Sequence, residues 1–308
     1  MIVAITGGTG FIGRHIIARH LSRGDEVRYL TRHNQTPILG ATAILGDLTA
    51  PDSLAALVEN ADVLYHCAAE LHDANKMYDT NVLGTQNLLK VAQGQVKRFV
   101  QLSSTGVYGA KPSHDVNEDT PVNPANPYEV SKNQADELLL DAMTRDGLCG
   151  VIVRPSNVYG VDMPNQSLFQ LIKMVKRGWF FFVGSKRALV NYIHVDNVID
   201  ALVLCATAEL PQNGRIYIVS DSCYLDEVIS TFATALNVPC PNWHLPETLV
   251  RTIAKIGDML LRFPLRSSRV DALTYQHRYS IDRISTELGF KLNIPMATGL
   301  SELCKNLK

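Results

Sequence analysis

The stretch Ile2-Val-Ala-Ile-Thr-Gly-Gly-Thr-Gly-Phe-Ile-Gly13 decides the fold, because an apolar run leads directly into glycines with the spacing of a phosphate loop. Gly7 permits a tight turn, Gly10 lets the backbone approach a pyrophosphate, and Gly13 lets the following helix pack on the strand. The pyrophosphate then meets the unpaired N–H groups and the positive dipole of a helix N-terminus. We therefore predict a dinucleotide site between the first strand and the first helix.

Beyond this stretch, short apolar runs alternate with amphipathic stretches as far as about residue 155. Strands are predicted at Ile2–Thr6, Glu26–Thr31, Ala43–Leu45, Val63–His66, Arg98–Ser103 and Gly150–Arg154. Helices are predicted at Phe11–Arg23, Asn75–Gln93 and Pro127–Arg145. Apolar strands that alternate with helices of this length imply a parallel sheet covered on both faces. Right-handed crossovers make such a sheet doubly wound, so the predicted fold class is α/β of the Rossmann type.

The alternation loosens after about residue 160, where a smaller C-terminal substrate lobe is predicted. Its strands are expected at Asn191–Val195 and Arg215–Val219, and its helices at Asn165–Arg177, from Asp196, and at Leu225–Leu236, Pro246–Leu261, Ile281–Leu288 and Pro295–Asn306. Residues 1–160 are thus assigned to an NAD(P)-binding domain and residues 161–308 mainly to the substrate lobe. The strand near 191–195 and the helix 196–208 are expected to pack on the first domain as well.

Composition and charge exclude several functions. The 308 residues are 46% hydrophobic and 19% charged, and the formal net charge of −1 gives no broad attraction to nucleic acid. The six cysteines lie far apart without a Cys-x-x-Cys pair, so neither a metal site nor a disulfide framework is predicted. No basic leader or long apolar run lies near Met1, so we expect a cytoplasmic protein. The expected partners are a small-molecule substrate and a second copy of the chain, in a homodimer.

The end of the second strand indicates which nicotinamide cofactor the domain holds. An acidic residue there accepts a hydrogen bond from the ribose of NAD, but Asp25 and Glu26 precede the strand, and Thr31 and Arg32 end it. Arg32 can pair with a 2′-phosphate, so NADP is favoured, with NAD as the alternative. After the third strand, Asp47 either accepts from the adenine amine or forms part of a turn.

A helix start is predicted at Asn126-Pro-Tyr-Glu129. Asn126 is a suitable N-cap, Pro127 fits the first helical position, and Glu129 stands where a capping box has its carboxylate. Tyr128 is then in the first turn, and Lys132 lies on the same face one turn later. A phenol with a pKa near 10 is a poor base at pH 7. An adjacent ammonium and the helix N-terminus favour the phenolate, so the pair predicts a tyrosine acid/base.

A run rich in hydroxyl groups, Ser103-Ser-Thr-Gly-Val-Tyr-Gly109, follows the fifth strand. The run lies at the carboxyl edge, where a doubly wound sheet binds its ligands. A hydroxyl at that edge can hydrogen-bond a substrate oxygen and polarise it. The sequence therefore predicts a third polar group that acts together with Tyr128 and Lys132.

These motifs, in this order, resemble those of the extended short-chain dehydrogenases/reductases of the NAD-dependent epimerase/dehydratase family. The likeness covers nearly the whole chain and rests on Thr6-Gly-Gly-Thr-Gly-Phe-Ile-Gly13, His66-Cys-Ala-Ala69, Asn81-Val-Leu-Gly-Thr-Gln-Asn-Leu-Leu89, Ser103-Ser104 before Val107-Tyr-Gly109, Tyr128-x-x-x-Lys132, Arg154-Pro-Ser-Asn-Val-Tyr-Gly160 and Tyr192-Ile-His-Val-Asp196. The resemblance implies an oxidoreductase in which the nicotinamide carries the hydride and a tyrosine moves the proton.

The resemblance also implies roles for individual residues. Tyr128 exchanges the proton, Lys132 binds the nicotinamide ribose and lowers the tyrosine pKa, and Ser104 orients the substrate. Asn81 orders its helix and a water behind the lysine. The cofactor cleft is implied to include Gly7, Thr9, Gly10, Phe11, Ile12, Gly13, Thr31, Arg32, Asp47, Leu48, Ala68, Ala69, Pro155, Asn157 and Val158. Substrate contacts are expected from Tyr108, Asn157, Lys186, Arg187 and His194.

Several residues have a structural interpretation beside the functional one. Asn81 can make a local backbone hydrogen bond within its helix, Ser103 is expected to be structural, and Asn157 and His194 can be satisfied polar groups of the core. Trp179–Val183 and the helix 246–261 either shape an apolar pocket or, as we favour, form core and partner-helix contacts. A membrane-surface helix is a less favoured interpretation of the side chains Leu249, Val250, Ile253, Ile256, Leu260 and Leu261, which lie beside Arg251, Lys255 and Arg262.

The substrate class is the least determined feature. The resemblance implies nucleotide-linked sugars, flavonoid-type ketones or hydroxysteroids. In sugar-nucleotide epimerases an arginine two residues before the Tyr-Ile-His-Val segment grips the diphosphate, but Val190 stands here, with Lys186 and Arg187 just upstream. Thr105-Gly106 replaces the Asp-Glu of the dehydratases, so water elimination is not expected. The first hypothesis is a nucleotide-sugar 4-ketoreductase or epimerase. The alternatives are a hydroxysteroid or small-ketone dehydrogenase and a non-catalytic NADP-binding redox sensor.

Arg32 and the lack of an acid at the end of the second strand predict tighter binding of NADPH than of NADH. Isothermal titration with both cofactors measures the preference. Arg32→Ala should remove most of it, about tenfold or more in affinity, because a hydrogen bond between charged groups contributes ~1.5–3 kcal/mol. An NADH preference that Arg32→Ala leaves unchanged would show that the cofactor assignment is wrong.

Overall fold

The structure of the chain is a computed structural model that describes residues 1–33, 37–109, 115–184, 187–258, 267–274 and 276–306. Its strands are β1 (Ile2–Thr6), β2 (Glu26–Thr31), β3 (Thr42–Leu45), β4 (Ala61–His66), β5 (Val96–Leu102), β6 (Gly150–Pro155), β7 (Asn157–Tyr159), β8 (Phe182–Val183), β9 (Leu189–His194), β10 (Arg215–Val219), β11 (Asp221–Tyr224) and β12 (His244–Leu245).

Its α-helices are α1 (Phe11–Ser22), α2 (Ala55–Val58), α3 (Ala74–Met77), α4 (Gly84–Ala92), α5 (Pro127–Arg145), α6 (Ser167–Lys176), α7 (Val195–Thr207), α8 (Leu225–Leu236), α9 (Glu247–Asp258), α10 (Ser267–Ala272), α11 (Asp282–Leu288) and α12 (Met296–Lys305). Short 3₁₀ turns cover Pro51–Ser53 and Thr105–Tyr108, and a π-helical turn covers Tyr78–Leu83.

Seven strands form one parallel sheet in the order β3-β2-β1-β4-β5-β6-β10. The strand order reverses between β1 and β4, which pair from Val3↔Val63 to Thr6↔His66. Open α/β sheets bind ligands at the carboxyl ends of the strands, where such a reversal opens a crevice. This confirms the predicted Rossmann-type fold, and the glycine stretch leaves β1 at the reversal.

The strands of this sheet are buried on both faces. Val3 and Ile5 of β1 lie in the core beneath α1, α7 and α11, whereas Ala4 faces the opposite layer of α2, α4 and α5. Val151 and Val153 of β6 repeat this alternation around Ile152. Two buried faces explain why the strands appear in the sequence as continuous apolar runs.

A second core lies under the smaller C-terminal lobe. There β9 pairs in parallel with β7 and antiparallel with β11, and α6, α8 and α12 contribute buried side chains such as Ile172, Ile229 and Leu300. The short β8 pairs in parallel with β12, and α9 covers that pair. The two halves of the chain are interlocked, because β10 is a strand of the large sheet and α7 is part of its core.

The helix predicted at Asn75–Gln93 is not one regular helix. α3 ends at Met77, the π-helical turn follows it, and α4 begins at Gly84. A Cβ on Gly84 would lie 2.8 Å from Cβ of Leu48, so the close approach of this helix to the loop after β3 requires glycine. Single π-helical turns are frequent at functional sites, and this one contains Asn81.

Part of the predicted helix 246–261 lies outside the described residues, namely Leu260 and Leu261, as does Arg262. Within α9, Val250 is buried, but the opposite face exposes Leu249, Ile253 and Ile256. In the aromatic run Phe180 and Val183 belong to the core, whereas Trp179 is 65% exposed. None of the helices described is both long and apolar enough to span a bilayer.

Gly13→Ala should destabilise the protein. A Cβ at this position would lie 2.1 Å from the Gly7 carbonyl oxygen, a contact that a backbone shift alone can relieve. Overpacking of this kind costs ~1–3 kcal/mol, so thermal unfolding should show a melting temperature lower by several degrees. Ala18→Ser, at an exposed position of the same helix, is the matched control. Equal melting temperatures for the two variants would contradict this account of the loop.

Candidate active site

The loop after β1 has the shape and the donors that a pyrophosphate requires. Gly7 has a φ of +71°, and the N–H of Gly10 donates to its carbonyl oxygen at 2.9 Å. Gly10 is the N-cap of the twelve-residue α1 and supplies no side-chain cap, so the first N–H groups of this helix stay available. Thr9 is exposed, and Phe11 and Ile12 are half-buried. These residues fit the diphosphate of a dinucleotide.

The other predicted cofactor residues lie at the carboxyl ends of β4 and β6. Ala68 and Ala69 follow β4 and are half-buried. Pro155 ends β6 and is buried, while Val158 of β7 is half-buried. Asn157 is exposed, so the alternative of a satisfied core group is wrong for this residue. Ala68, Ala69 and Pro155 thus stand at the carboxyl edge of the sheet that carries the glycine loop, and Asn157 and Val158 follow β6 on β7 of the smaller sheet.

At the adenine end of the predicted site, Thr31 ends β2 and Arg32 is exposed. Asp47 Oδ1 accepts from the N–H of Thr49 at 2.8 Å and from its hydroxyl at 2.7 Å. The Thr49 N–H, its hydroxyl and the charge of Arg32 lower the pKa of Asp47. The turn expected as one alternative for Asp47 is therefore present, and its contact with adenine stays a prediction. The neighbouring Leu48 is buried.

A buried chain of hydrogen bonds joins the glycine loop to the π-helical turn. The Ala68 N–H donates to Thr6 Oγ1 at 3.3 Å, and Thr6 Oγ1 contacts His66 Nδ1 at 2.7 Å. His66 Nε2 contacts Thr85 Oγ1 at 2.9 Å, and that hydroxyl donates to the Asn81 carbonyl at 2.6 Å. Because the Thr85 hydrogen is already used, Nε2 carries the ring proton and Nδ1 accepts. Burial lowers the pKa of His66 to about 3, so the ring is neutral.

The side chain of Asn81 is fully engaged. Its Oδ1 accepts from the N–H of Glu70 at 2.7 Å, and its Nδ2 donates to the Glu70 carbonyl at 3.1 Å and to Ser131 Oγ at 2.9 Å. These partners lie in the loop after β4 and in α5, so the alternative of a local bond within its own helix is wrong. Ser131 also donates to the Tyr128 carbonyl at 2.8 Å. Asn81 therefore fixes the turn of α5 between Tyr128 and Lys132.

The start of α5 confirms the predicted capping box. Asn126 Oδ1 accepts from the Glu129 N–H at 3.0 Å, and Glu129 Oε2 accepts from the N–H of Asn126 at 3.4 Å and of Ala125 at 2.8 Å. Pro127 occupies the first helical position. The reciprocal bonds fix where the helix begins, and hence where the first-turn residue Tyr128 lies.

Tyr128 and Lys132 lie in α5 at the carboxyl end of β5. Lys132 is buried, and its Nζ donates to the Leu102 carbonyl at 2.6 Å. Burial, with the charges of Asp136 and Glu129, raises the pKa of Tyr128 to about 12. The lowering of this pKa that was expected from Lys132 is not seen, because burial is the largest influence on the phenol and the charges that act on it are negative. The phenol is protonated at neutral pH.

Ser104 lies on the turn that follows β5. Its Oγ accepts from the N–H of Gly106 at 3.0 Å, which leaves the hydroxyl hydrogen free for another acceptor. A Cβ on Gly106 would lie 3.2 Å from Cγ of Glu129, so this turn packs against the first turn of α5. The fold therefore brings Ser104 to the end of α5 that carries Tyr128.

Beneath α5 lies a buried polar network that sequence reasoning missed. Asp136 accepts from Gln101 Nε2 at 2.7 Å, from Ser103 Oγ at 2.8 Å and from Arg154 Nε at 3.0 Å. Ser103 is structural, as expected. Arg154 also donates to the Tyr108 hydroxyl at 2.9 Å, so this predicted substrate residue directs its hydroxyl into the network. The i, i+4, i+8 spacing of Tyr128, Lys132 and Asp136 is the sequence signal that could have identified the network.

Of the predicted substrate residues in the C-terminal half, the structure describes His194 and Arg187. His194 is buried as the N-cap of α7, where Nδ1 accepts from the Asp196 N–H at 3.2 Å, so its core interpretation is confirmed. Arg187 forms two hydrogen bonds of 2.9 Å with the carboxylate of Asp226. Lys186 lies outside the described residues. The Arg187 charge is thus already compensated.

A second arginine stands beside Arg187. The guanidinium carbons of Arg187 and Arg278 lie 3.8 Å and 5.6 Å from the centre of the Tyr224 ring. Arg278 is exposed, and no carboxylate among the described residues forms an ion pair with it. The next residue, Tyr279, lies 6.3 Å from Tyr108, ring centre to ring centre. Sequence reasoning missed Arg278, because residues 276–280 lie between predicted elements.

A tyrosine hydroxyl and a lysine on one helix, together with a glycine loop at the N-terminus of another, are the groups expected of a nicotinamide-dependent oxidoreductase. In the described part of the chain no group of three or more metal-binding side chains accompanies them. Residues 3–220 match the family model described as NAD dependent epimerase/dehydratase family. The chain belongs to this family, whose members are extended short-chain dehydrogenases/reductases.

Curated relatives cover nearly the whole chain and differ in substrate. The 4-hydroxy-2-methyl-3-oxo-4-farnesyl-3,4-dihydroquinoline-1-oxide ketoreductase of Stigmatella aurantiaca is 30% identical over 97% of this chain and 94% of its own. A UDP-glucose 4-epimerase of Vibrio cholerae is 29% identical over 94% of this chain and 90% of its own. A 3-beta-hydroxysteroid dehydrogenase of Mycolicibacterium neoaurum is 27% identical over 94% of this chain and 86% of its own.

Solved structures of the same fold contain either nicotinamide cofactor. MoeE5 in complex with UDP-glucose and NAD is 25% identical, with a TM-score of 0.74 over 99% of this chain and 97% of its own. RMD of Pseudomonas aeruginosa complexed with NADPH is 23% identical, with a TM-score of 0.70 over 99% of this chain and 98% of its own. A nicotinamide cofactor is thus common to the neighbours, and they do not distinguish NAD from NADP.

Tyr128→Phe should leave cofactor binding nearly intact and reduce turnover by ~10²–10⁴, the usual contribution of a positioned acid or base. Lys132→Met should reduce both turnover and cofactor affinity, because the lysine is expected to contact the ribose. Steady-state rates and titration with NADPH measure the two effects. Wild-type rates in the phenylalanine variant would contradict the assignment of Tyr128.

Proposed function

We propose that the protein is an NAD(P)-dependent oxidoreductase that acts on the 4-position of a nucleotide-linked sugar, as a 4-ketoreductase or an epimerase. The observation that carries the proposal is the exposed guanidinium of Arg278, which has no ion-pair partner among the described residues and lies over Tyr224 beside Arg187. A substrate with a diphosphate requires charged donors of this kind. The UDP-glucose 4-epimerase relative supports this choice.

The chemistry follows from the hydroxyl groups at the start of α5. Ser104 retains a hydrogen with which it can bind the reacting oxygen. Tyr128 is protonated at neutral pH, since its pKa is about 12, so it suits the donor of a proton to a ketone. Asn81 fixes α5 through Ser131, and Lys132 is the proposed ligand of the nicotinamide ribose. The bound nicotinamide supplies or accepts the hydride.

Arg278 is held at the edge of the substrate lobe by its backbone. Its N–H donates to Asp115 Oδ1 at 2.9 Å, and its carbonyl accepts from the N–H of Val116 at 2.7 Å. The aromatic neighbour Tyr279 lies near Tyr108, which follows Ser104 by one turn. The guanidinium therefore stands on a segment that packs against the loop of the predicted catalytic serine.

A second candidate is an oxidoreductase for a hydroxysteroid or another lipophilic ketone. Val190, which stands where the epimerases have an arginine, is buried in the lobe core and cannot donate to a phosphate. The ketoreductase of a farnesylated quinoline supports this alternative. The non-catalytic sensor is not proposed, because the chain belongs to a family of enzymes. NADP is the proposed cofactor, on the strength of Arg32.

The substrate class can be tested by thermal shift with NADPH present throughout. UDP and dTDP represent the first candidate, and a 3-ketosteroid and a farnesylated quinolone represent the second. A ligand that binds the native state stabilises it by ~2.7 kcal/mol at one hundred times its Kd. A shift with a nucleotide is expected. A shift with a lipophilic ketone and none with any nucleotide would refute the nucleotide-sugar proposal.

Variants of two exposed arginines locate the diphosphate. Arg278→Gln should lower the affinity for UDP by about tenfold to a hundredfold, because a hydrogen bond to a charged group contributes ~1.5–3 kcal/mol. Arg177→Gln is the matched control, since Arg177 is also exposed and lies 5.2 Å from the centre of the Trp179 ring. Equal UDP affinities for both variants would exclude Arg278 from the site.

A further inference from the structure

The catalytic helix carries a charged side chain into the core. Asp136 follows Lys132 by one turn and Tyr128 by two, and it is 1% exposed. A buried carboxylate is costly unless it is paired and hydrogen-bonded. Its oxygens accept from Gln101 Nε2 at 2.7 Å and from Ser103 Oγ at 2.8 Å, both on the strand beneath the helix or just after it. The aspartate is therefore tied to the β5 edge.

The ion-pair partner comes from the next strand. Arg154 of β6 is 4% exposed, and its Nε and Nη2 lie 3.0 and 2.9 Å from Asp136 Oδ2. Its Nη1 donates to the Tyr108 hydroxyl at 2.9 Å, on the turn that begins at Ser104. One guanidinium thus connects α5, β6 and the serine turn. An apolar pair of similar volume can be as stable as a buried ion pair, so stability alone does not account for these two charges.

The groups around Lys132 indicate a further role for the Asp136 charge. Burial lowers the pKa of Lys132, and the charge of Asp136 opposes this shift. From β4 and the residue after it, His66 and Cys67 also face the ammonium, but His66 is neutral and burial raises the pKa of Cys67 to about 12. Arg154 lies beyond Asp136. Among these groups, Asp136 carries the one negative charge.

We propose that Asp136 is a positioning residue: its buried pair with Arg154 seats α5 on β5 and β6, and its negative charge, one turn from Lys132 and two turns from Tyr128 on the same helix, favours the ammonium and disfavours a phenolate. The proposal rests on the proposed roles of Tyr128 and Lys132. It assigns to Asp136 an electrostatic function besides a packing function. Removal of the charge should make both groups lose their protons at lower pH.

The first test needs no substrate. Ultraviolet difference titration of tyrosinate, wild type against Tyr128→Phe, reports the pKa of Tyr128 in the full chain. Asp136→Asn should lower this pKa by about one unit or more, because the uncompensated Arg154 cation then also favours the phenolate. Asp136→Glu, which keeps the charge, should leave the pKa near the wild-type value. The matched control is Asp141→Asn, since Asp141 lies on the exposed side of the same helix, 3.3 Å from Arg145.

The second test follows NADPH binding and kcat/KM across pH. In Asp136→Asn, the NADPH affinity and kcat/KM should both begin to fall at a lower alkaline pH than in the wild type. One pH unit above the new midpoint, each should be about tenfold below its plateau value. If this variant does not fold, the paired change Asp136→Leu with Arg154→Met removes both charges and should still lower the Tyr128 pKa. An unchanged pKa and unchanged pH profiles in the folded variants would overturn the proposal. Wild-type turnover by Tyr128→Phe would instead refute the proposed function, and the titration distinguishes these two failures.

Discussion

The passage of α1 across the Gly7 carbonyl is the contact on which the rest of the structure depends. A Cβ on Gly13 would stand 2.1 Å from that oxygen, and a Cβ on Gly7 would stand 2.7 Å from the backbone nitrogen of Ala68. Because Gly7 and Gly13 have no side chain, the first strand, the first helix and the loop after β4 can approach one another this closely. With that separation the helix N-terminus meets the reversal of the sheet, where backbone donors can surround a diphosphate. Every other part of the site is placed relative to this junction.

A single helix then gathers the polar groups of the reaction. α5 begins at a capping box near solvent, carries Tyr128 in its first turn, and passes Lys132 and Asp136 into the core. Asn81 holds it from one side through Ser131, and Arg154 holds it from below. The polar groups beneath the tyrosine are thus bonded to the neighbouring strands, Lys132 to β5 and Asp136 to both β5 and β6. The proposed substrate residue Arg278 has a less direct connection to this helix. Its neighbour Tyr279 packs near Tyr108, which lies on the turn after Ser104.

The features that sequence reasoning predicted are those that local pattern determines. The glycine loop, the six strands of the first half and the capping box each depend on neighbours within a few residues, and all agree with the structure to within about two residues at each end. The features it missed depend on contacts between distant parts of the chain. The π-helical turn and the exposed Arg278 carry no local signature. The spacing of Asp136 from Lys132 indicates a shared helix face, but it does not indicate the partner Arg154 on β6. The raised pKa of Tyr128 was missed for the same reason, because the burial that raises it comes from packing between distant parts of the chain.

The contribution of β10 to the large sheet has a consequence for biosynthesis. Its Tyr217 hydroxyl donates to Glu287 at 2.8 Å, and α7 and α11 cover the face of the sheet that contains Val3 and Ile5. These two helices are synthesised long after the strands that they cover, since α11 ends only at Leu288. Contacts of such long sequence separation slow folding. The nascent chain therefore leaves part of this apolar face uncovered until α7 and α11 have been made, and in that interval aggregation competes with the native fold.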